Sequence, residues 1–288
     1  MQKIQGMLFV VISAIAFGAI PIFARAAYRA GSDPISVLFF RFTIASIIMI
    51  PFITVRKIPF PRGRFLLGLM LMGGIGYVGQ SYCYFTALTM ASAGLVAILL
   101  YLYPAIVVIF STLLFKERIT GLKILALILA LTGTMLTIGL GGGGSLLGIA
   151  LAMTAPLIYS AYILAGGKIT KEVGILSSST VVMISASFVF GTLIAVKGLS
   201  MPQTWVGWSG VLAIALISTV IAIITFFAGL KRVGPTNASM LSTFEPVTTV
   251  ILAAIVFGEE VTLMRIVGGV LILFAVILLA KSEFRANP

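Results

Sequence analysis

No histidine occurs in these 288 residues, acidic side chains number seven, and charged residues of both signs make up only 9%. Without histidine, and with no two carboxylates paired inside an apolar run, the chain lacks the groups from which a nucleophile, base or metal cluster is assembled. A membrane-embedded enzyme is therefore not expected, and neither a cofactor nor a bound metal is expected. The single cysteine, Cys83, excludes an internal disulfide. It lies in an apolar run and reads as a small packing residue. Period-two alternation is missing, which argues against a β-barrel. Long polar stretches are missing too, so there is no room for a soluble catalytic or DNA-binding domain.

What is present is apolar surface: 60% of residues are hydrophobic and the mean hydropathy is +1.22. A hydrocarbon core about 30 Å thick needs roughly 20 apolar residues per helical crossing. Ten such runs are predicted: 4–25, 34–55, 65–87, 92–115, 120–139, 146–166, 175–196, 206–229, 234–257 and 261–280. The expected fold is an all-α polytopic membrane protein. The first run could pass for a cleavable leader, because Lys3 precedes it and "FARAA" offers small residues. It is too long for that role, and it has a counterpart further along the chain.

The net charge of +12 raises the question of nucleic acid, which the placement of the charges answers. With a cytoplasmic N-terminus, the inner side collects Lys3, Arg56, Lys57, Arg62, Arg64, Lys116, Arg118 and Lys123 from the first half. The second half adds Lys168, Lys171, Lys231, Arg232, Lys281 and Arg285. The outer side has only Arg25, Arg29, Lys197 and Arg265, while Arg41 lies inside a span. A ratio of 14 to 4 predicts that both termini are cytoplasmic. The basicity is then topology, and no nucleic-acid partner is expected.

A shift of 142 residues aligns the chain with itself without a gap. "YLYPAIVVIFSTLLFKERIT" (101–120) falls on "TFEPVTTVILAAIVFGEEVT" (243–262), so that Pro104 meets Pro246, Glu117 meets Glu259 and Thr120 meets Thr262. Each half holds five spans, an odd number, so the second half enters the membrane inverted. Residues 1–139 form the first five-helix repeat, 140–147 a glycine-rich linker and 148–288 the second repeat. The linker's four glycines lack the Gly-Lys-Ser/Thr ending of a phosphate loop. Inverted repeats recur in carriers, where exchanging the conformations of the halves opens a central cavity to alternate sides. The competing reading is a duplication without alternating access, as in a channel or a structural protein.

Ionisable groups deep in a bilayer are costly and therefore informative. Arg41 and Glu245 are the two such residues besides tyrosines and Cys83. Glu245 lies about 15 Å along its helix from Pro235, close to the midplane. Three roles compete for it: a structural acid bonding backbone near Pro246, a binding group for a substrate ammonium, or a proton carrier. An ion pair with Arg41 fits the first two. Pro104 and Pro246 each free a carbonyl, at Leu100 and Ser242, that needs a partner at membrane depth. Spans four and nine are accordingly expected to kink and to line a cavity, although a kink satisfied by Ser or Thr of its own helix is the plainer alternative. Seven of the eight tyrosines lie inside spans. Of these Tyr82, Tyr101, Tyr103 and Tyr159, with the neutral Gln80, are candidates to line a pocket for amphipathic or planar solutes. About half of the tyrosines are expected to serve in packing instead.

These features resemble the EamA family of the drug/metabolite transporter superfamily. The resemblance rests on Arg41 and Phe42 in the second span, "ALTMASAGL" entering the fourth, the doubled proline, acid and threonine element, and Gly268 and Gly269 in the last span. It covers essentially the whole chain. Ala126 and Ala275 depart from it, standing where the pattern has glycine. Within the family the chain looks most like bacterial aromatic amino acid exporters. The resemblance implies a multi-pass carrier of the bacterial inner membrane that exports amino acids, aromatic ones first, and related small metabolites. The alternatives are a multidrug or organic-cation efflux carrier and, from another class, a passive channel. The expected partners are a small organic solute and the lipid bilayer, and a monomer is compatible with the sequence.

Overall fold

The computed structural model describes residues 2–117, 119–139 and 143–285. Arg118 of the charge count and positions 140–142 of the linker lie outside the described residues. Seven helices long and apolar enough to cross a membrane come first: α1 Gln2–Arg29, α2 Pro34–Val55, α3 Gly63–Leu88, α4 Leu95–Phe115, α5 Gly121–Ile138, α6 Leu146–Glu172 and α7 Ile175–Lys197. The next helical run, Trp205–Phe257, has 53 residues. At 1.5 Å per residue it would be roughly 80 Å long, more than twice the thickness of a hydrocarbon core. It breaks at Gly234, whose φ of 80° and ψ of 169° no helix contains, and Pro235 restarts it. The run is therefore two crossings, α8 (205–233) and α9 (235–257), followed by α10 Leu263–Arg285. Among the described residues this makes ten crossings, as the hydropathy runs predict.

The 142-residue shift holds in three dimensions. α3 begins at Gly63 and α8 at Trp205; α4 ends at Phe115 and α9 at Phe257; α5 begins at Gly121 and α10 at Leu263. Local chemistry explains these matched ends. Thr120 and Thr262 accept hydrogen bonds from the amides of Lys123 and Arg265, satisfying donors that the first turn leaves free. α4 and α9 both stop at a left-handed residue, Lys116 at φ 55° and Gly258 at φ 65°. The third helix of each half also carries one wide π-helical turn, Met72–Tyr77 in α3 and Leu216–Ile221 in α8.

Packing follows the same symmetry. α5 lies against α10 and α2 against α7, each with its own repeat-mate, while α1 against α8 is matched by α6 against α3. Between α5 and α10 the backbones touch: a β-carbon on Gly133 would stand 2.6 Å from the Gly268 carbonyl oxygen, and one on Gly268 would stand 2.7 Å from the Thr137 amide nitrogen. Such close approach is how helices associate where lipid removes the hydrophobic drive. Ala126 and Ala275, the departures noted above, are both buried. Each helix thus brings one glycine and one alanine to the repeat positions of this seam. Facing outward are apolar side chains such as Ile47, Leu113, Phe188 and Ile255, as a lipid solvent requires. The described end of the linker is pinned, with Ser92 donating its amide to the Gly143 carbonyl at 3.1 Å and Ser145 donating to that of Met90 at 2.9 Å.

Candidate functional site

Between the two repeats lies a cavity of about 570 Å³, within the usual range for small-molecule sites. Its mouth is formed by Arg25 and Tyr28 at the end of α1, Thr137 and Ile138 at the end of α5, and Glu259 and Arg265 around the start of α10. These ends all lie on the face opposite the two termini. At the mouth Arg25 Nη1 donates to Glu259 Oε1 at 3.0 Å, a pair with both side chains 42% exposed.

The face bearing the termini is closed. Around Gly229 the backbones of α8 and α1 nearly touch, and a β-carbon there would lie 2.8 Å from the Gly6 carbonyl oxygen. The turn between α8 and α9 is held by Thr236, whose hydroxyl donates to Glu117 Oε2 at 2.7 Å, while Lys123 Nζ stands 3.8 Å from the other carboxylate oxygen. Glu117 and Glu259 are repeat-mates, so the same acid latches the closed face through α9 and borders the mouth on the open one.

Arg41, on α2, is 3% exposed and is held by both π-helical turns. Its Nε donates to Thr219 Oγ1 at 2.8 Å, and its Nη2 to the Ser218 carbonyl at 2.9 Å and to Tyr77 Oη at 3.2 Å. Tyr77 and Thr219 are themselves related by the 142-residue shift. A π-helical turn displaces a carbonyl from its usual partner, and such turns recur at functional sites; here one such carbonyl becomes an acceptor for a buried guanidinium. The remaining side of Arg41 lines the cavity.

Glu245 lines the same cavity where α9 kinks. A single 3-10 turn, Ser242–Phe244, precedes it, and the Glu245 amide donates to the Ser242 carbonyl. That bond satisfies the carbonyl freed by Pro246, so the carboxylate is not needed for the purpose. The Tyr101 hydroxyl faces the carboxylate. Gly18 of α1 brings its backbone against the Glu245 carbonyl, where a β-carbon would come within 2.7 Å. Thr249 donates its hydroxyl to the Gly18 carbonyl at 2.8 Å. Among the described residues no ion pair joins Glu245 to Arg41, and the two opposite charges face one cavity unpaired.

Tyr101, Tyr103, Tyr159 and Gln80 border the cavity together with Pro246. Tyr103 and Tyr159 meet edge to face at 4.8 Å. Pro104 is buried in the wall behind them and does not line the space. Tyr82 is 49% exposed on the other side of α3. The stripe that faces the cavity is Tyr77, Gln80, Ser81, Tyr84, Phe85 and Leu88, a 3.6-residue period from which position 82 is excluded. Tyr77 and Tyr84 thus occupy the place expected of Tyr82. Tyr162 is packed against Phe227, leaving five of the seven in-span tyrosines on the cavity. Among the described residues no three His, Cys, Asp or Glu side chains come together to hold a metal ion.

Two inverted five-helix halves around a cavity with charged and phenolic walls define a membrane transporter of the inverted-repeat class. The chain belongs to the EamA-like transporter family, which it matches over residues 4–139 and again over 146–281. It is 23% identical to the uncharacterized transporter YcbK of Bacillus subtilis, across 93% of this chain and 90% of that one. It is 25% identical to an uncharacterized transporter of Archaeoglobus fulgidus (93% and 94% covered) and 26% identical to the uncharacterized inner membrane transporter YedA of Escherichia coli (88% and 85%). A crystal structure of a protein 19% identical superposes with a TM-score of 0.83, covering 96% of this chain and 97% of the other.

Proposed function

We propose that the chain is an alternating-access carrier that exports amino acids, aromatic ones preferentially, across the bacterial inner membrane with both termini cytoplasmic. One observation carries this reading: Arg41 and Glu245 face one cavity without pairing, and phenols line the wall between them. An amino acid presents a carboxylate to Arg41, an ammonium to Glu245 and a ring to the tyrosines, so each buried charge meets its partner when solute binds. The excess of basic residues on the side of the termini supports the orientation, and YedA is described as an inner membrane protein. With that orientation the cavity faces outward, and the Thr236 to Glu117 hydrogen bond belongs to the outward-facing state. One chain supplies the whole cavity wall, which suits a monomer.

A multidrug or organic-cation carrier would also use a carboxylate among aromatic rings, but Arg41 sets a second cation opposite it. Counterflow in liposomes discriminates among the readings. Phenylalanine, tyrosine and tryptophan are expected to exchange saturably, while phenethylamine and phenylpropionate, each lacking one charge, compete weakly. Glu245→Gln is expected to lower flux far more than Glu259→Gln, because only the former acid borders the deep part of the cavity. Unsaturable flux would establish a channel, and stronger competition by phenethylamine than by phenylalanine would establish a cation carrier.

A further inference from the structure

A second cavity, of about 610 Å³, opens on the lipid-facing side of the protein between the end of α1, the start of α8 and the end of α9. Arg25 and Arg29 stand at one end of it, one helical turn apart, and both lean over the ring of Phe257, with guanidinium carbons 4.2 and 6.0 Å from its centre. Apart from the hydroxyls of Thr204 and Ser209 the remaining walls are apolar, with Ile22, Val206, Ala213 and Val256 prominent. Val206 and Val256 are 66% and 55% exposed, which places this flank against acyl chains. Trp205, 83% exposed, and Trp208 mark the level as the membrane interface. Glu259 offsets the charge of Arg25 through one hydrogen bond between half-exposed side chains, while Arg29 pairs with no acid among the described residues. The site therefore has uncompensated positive charge at headgroup depth and a greasy channel running from it along the bilayer.

We propose that this lateral cavity binds an anionic phospholipid, with its phosphate between Arg25 and Arg29 and an acyl chain along Ile22, Val206 and Val256. The charge selects an anion, and the apolar flank selects a lipid over a free one. Arg25 borders this cavity and the central one, so a bound phosphate competes with Glu259 for its guanidinium and bears on the mouth of the transport path. The inference is independent of which solute is carried.

Native mass spectrometry of the full-length purified protein tests it, with added phosphatidylglycerol or phosphatidylcholine. Phosphatidylglycerol is expected to be retained and phosphatidylcholine not. Arg29→Gln should reduce retention about fivefold, and Arg25→Gln/Arg29→Gln further, on the usual worth of a basic residue at a lipid surface. Arg29→Lys, which keeps the charge, should retain most of it. Lys197→Gln, which removes an exposed charge outside this cavity, should leave it unchanged. Equal retention in the double variant, equal loss in Lys197→Gln, or displacement of the lipid by millimolar inorganic phosphate would overturn the proposal.

Discussion

Replacing Gly18 with alanine tests the geometry that seats Glu245. The added carbon would lie 2.7 Å from the Glu245 carbonyl oxygen and 2.8 Å from Thr248 Cβ. Contacts between such atoms settle near 3.5–4.0 Å, so α1 and α9 must separate locally by about 0.7–1.3 Å. Neither close neighbour is the end of a flexible side chain, and the Thr249 bond to the Gly18 carbonyl stretches as the helices part. Overpacking of this kind costs about 1–3 kcal/mol. At about 2–4 °C per kcal/mol for a chain of this size, the apparent melting midpoint in detergent falls by about 2–12 °C. Fluorescence-detected size-exclusion melts measure that fall, and counterflow on the folded fraction measures whether Glu245 has moved; the initial rate should drop by more than the loss of folded protein accounts for. The repeat-mate supplies the control. Position 160 is serine and already places a β-carbon beside the matching carbonyl, with its hydroxyl 3.3 Å from the Tyr103 oxygen. The same hydroxyl also reaches the Pro156 carbonyl at 2.6 Å, so Ser160→Ala costs only the one proton it shares between the two carbonyls, about 1 kcal/mol. A Gly18→Ala protein that melts and transports like the wild type would refute the close α1 to α9 contact.

Two further outcomes are expected. Arg41→Lys keeps the charge but loses the planar fork that reaches Thr219, Ser218 and Tyr77 together, so zero-trans uptake should fall at least about tenfold while expression persists; wild-type uptake would remove Arg41 from the site. Asp33 caps α2 by accepting from the amides of Ile35 and Ser36 at 2.8 and 3.0 Å. Burial opposes its ionisation, yet these bonds and that from the Ser36 hydroxyl outweigh it and hold the carboxyl below the usual aspartate value. Its contribution is therefore complete above about pH 4 and is lost as pH falls through the depressed value. Asp33→Ala should lower the melting midpoint at neutral pH by the equivalent of about 1 kcal/mol. The gap from wild type should close on acidification, and a gap constant down to about pH 3 would contradict the assignment.

The ten crossings were legible because bilayer thickness writes itself into the chain as apolar runs of one length, and Gly234 with Pro235 marks the one break that a continuous helical run conceals. The repeat was legible because Pro104, Glu117 and Thr120 recur 142 residues on. The two π-helical turns were not, since "MGGIGY" and "LISTVI" share no pattern, and what unites them is Arg41, which reaches Thr219 from 178 positions away. Which in-span tyrosines face the cavity was not legible, because a phenol in a span does not say which way it points until one neighbour's direction is known. With Gln80 facing the cavity, the helical period brings in Tyr77 and Tyr84 and leaves Tyr82 outside. The pairing of Glu259 with Arg25 was not legible either, since the two lie 234 positions apart.

Lys116 and Gly258 make the same left-handed turn in opposite halves. Glycine adopts it freely, whereas a side chain there costs about 1 kcal/mol or more. The lysine sits among the basic residues whose crowding on one side biases how a chain is threaded through the membrane. Insertion and backbone preference thus pull in opposite directions at one residue, and insertion has prevailed. A Lys116→Gly protein would be more at ease once folded and less decided about which way up to fold. The two halves of a duplicated chain can share a geometry only until biogenesis requires them to be told apart.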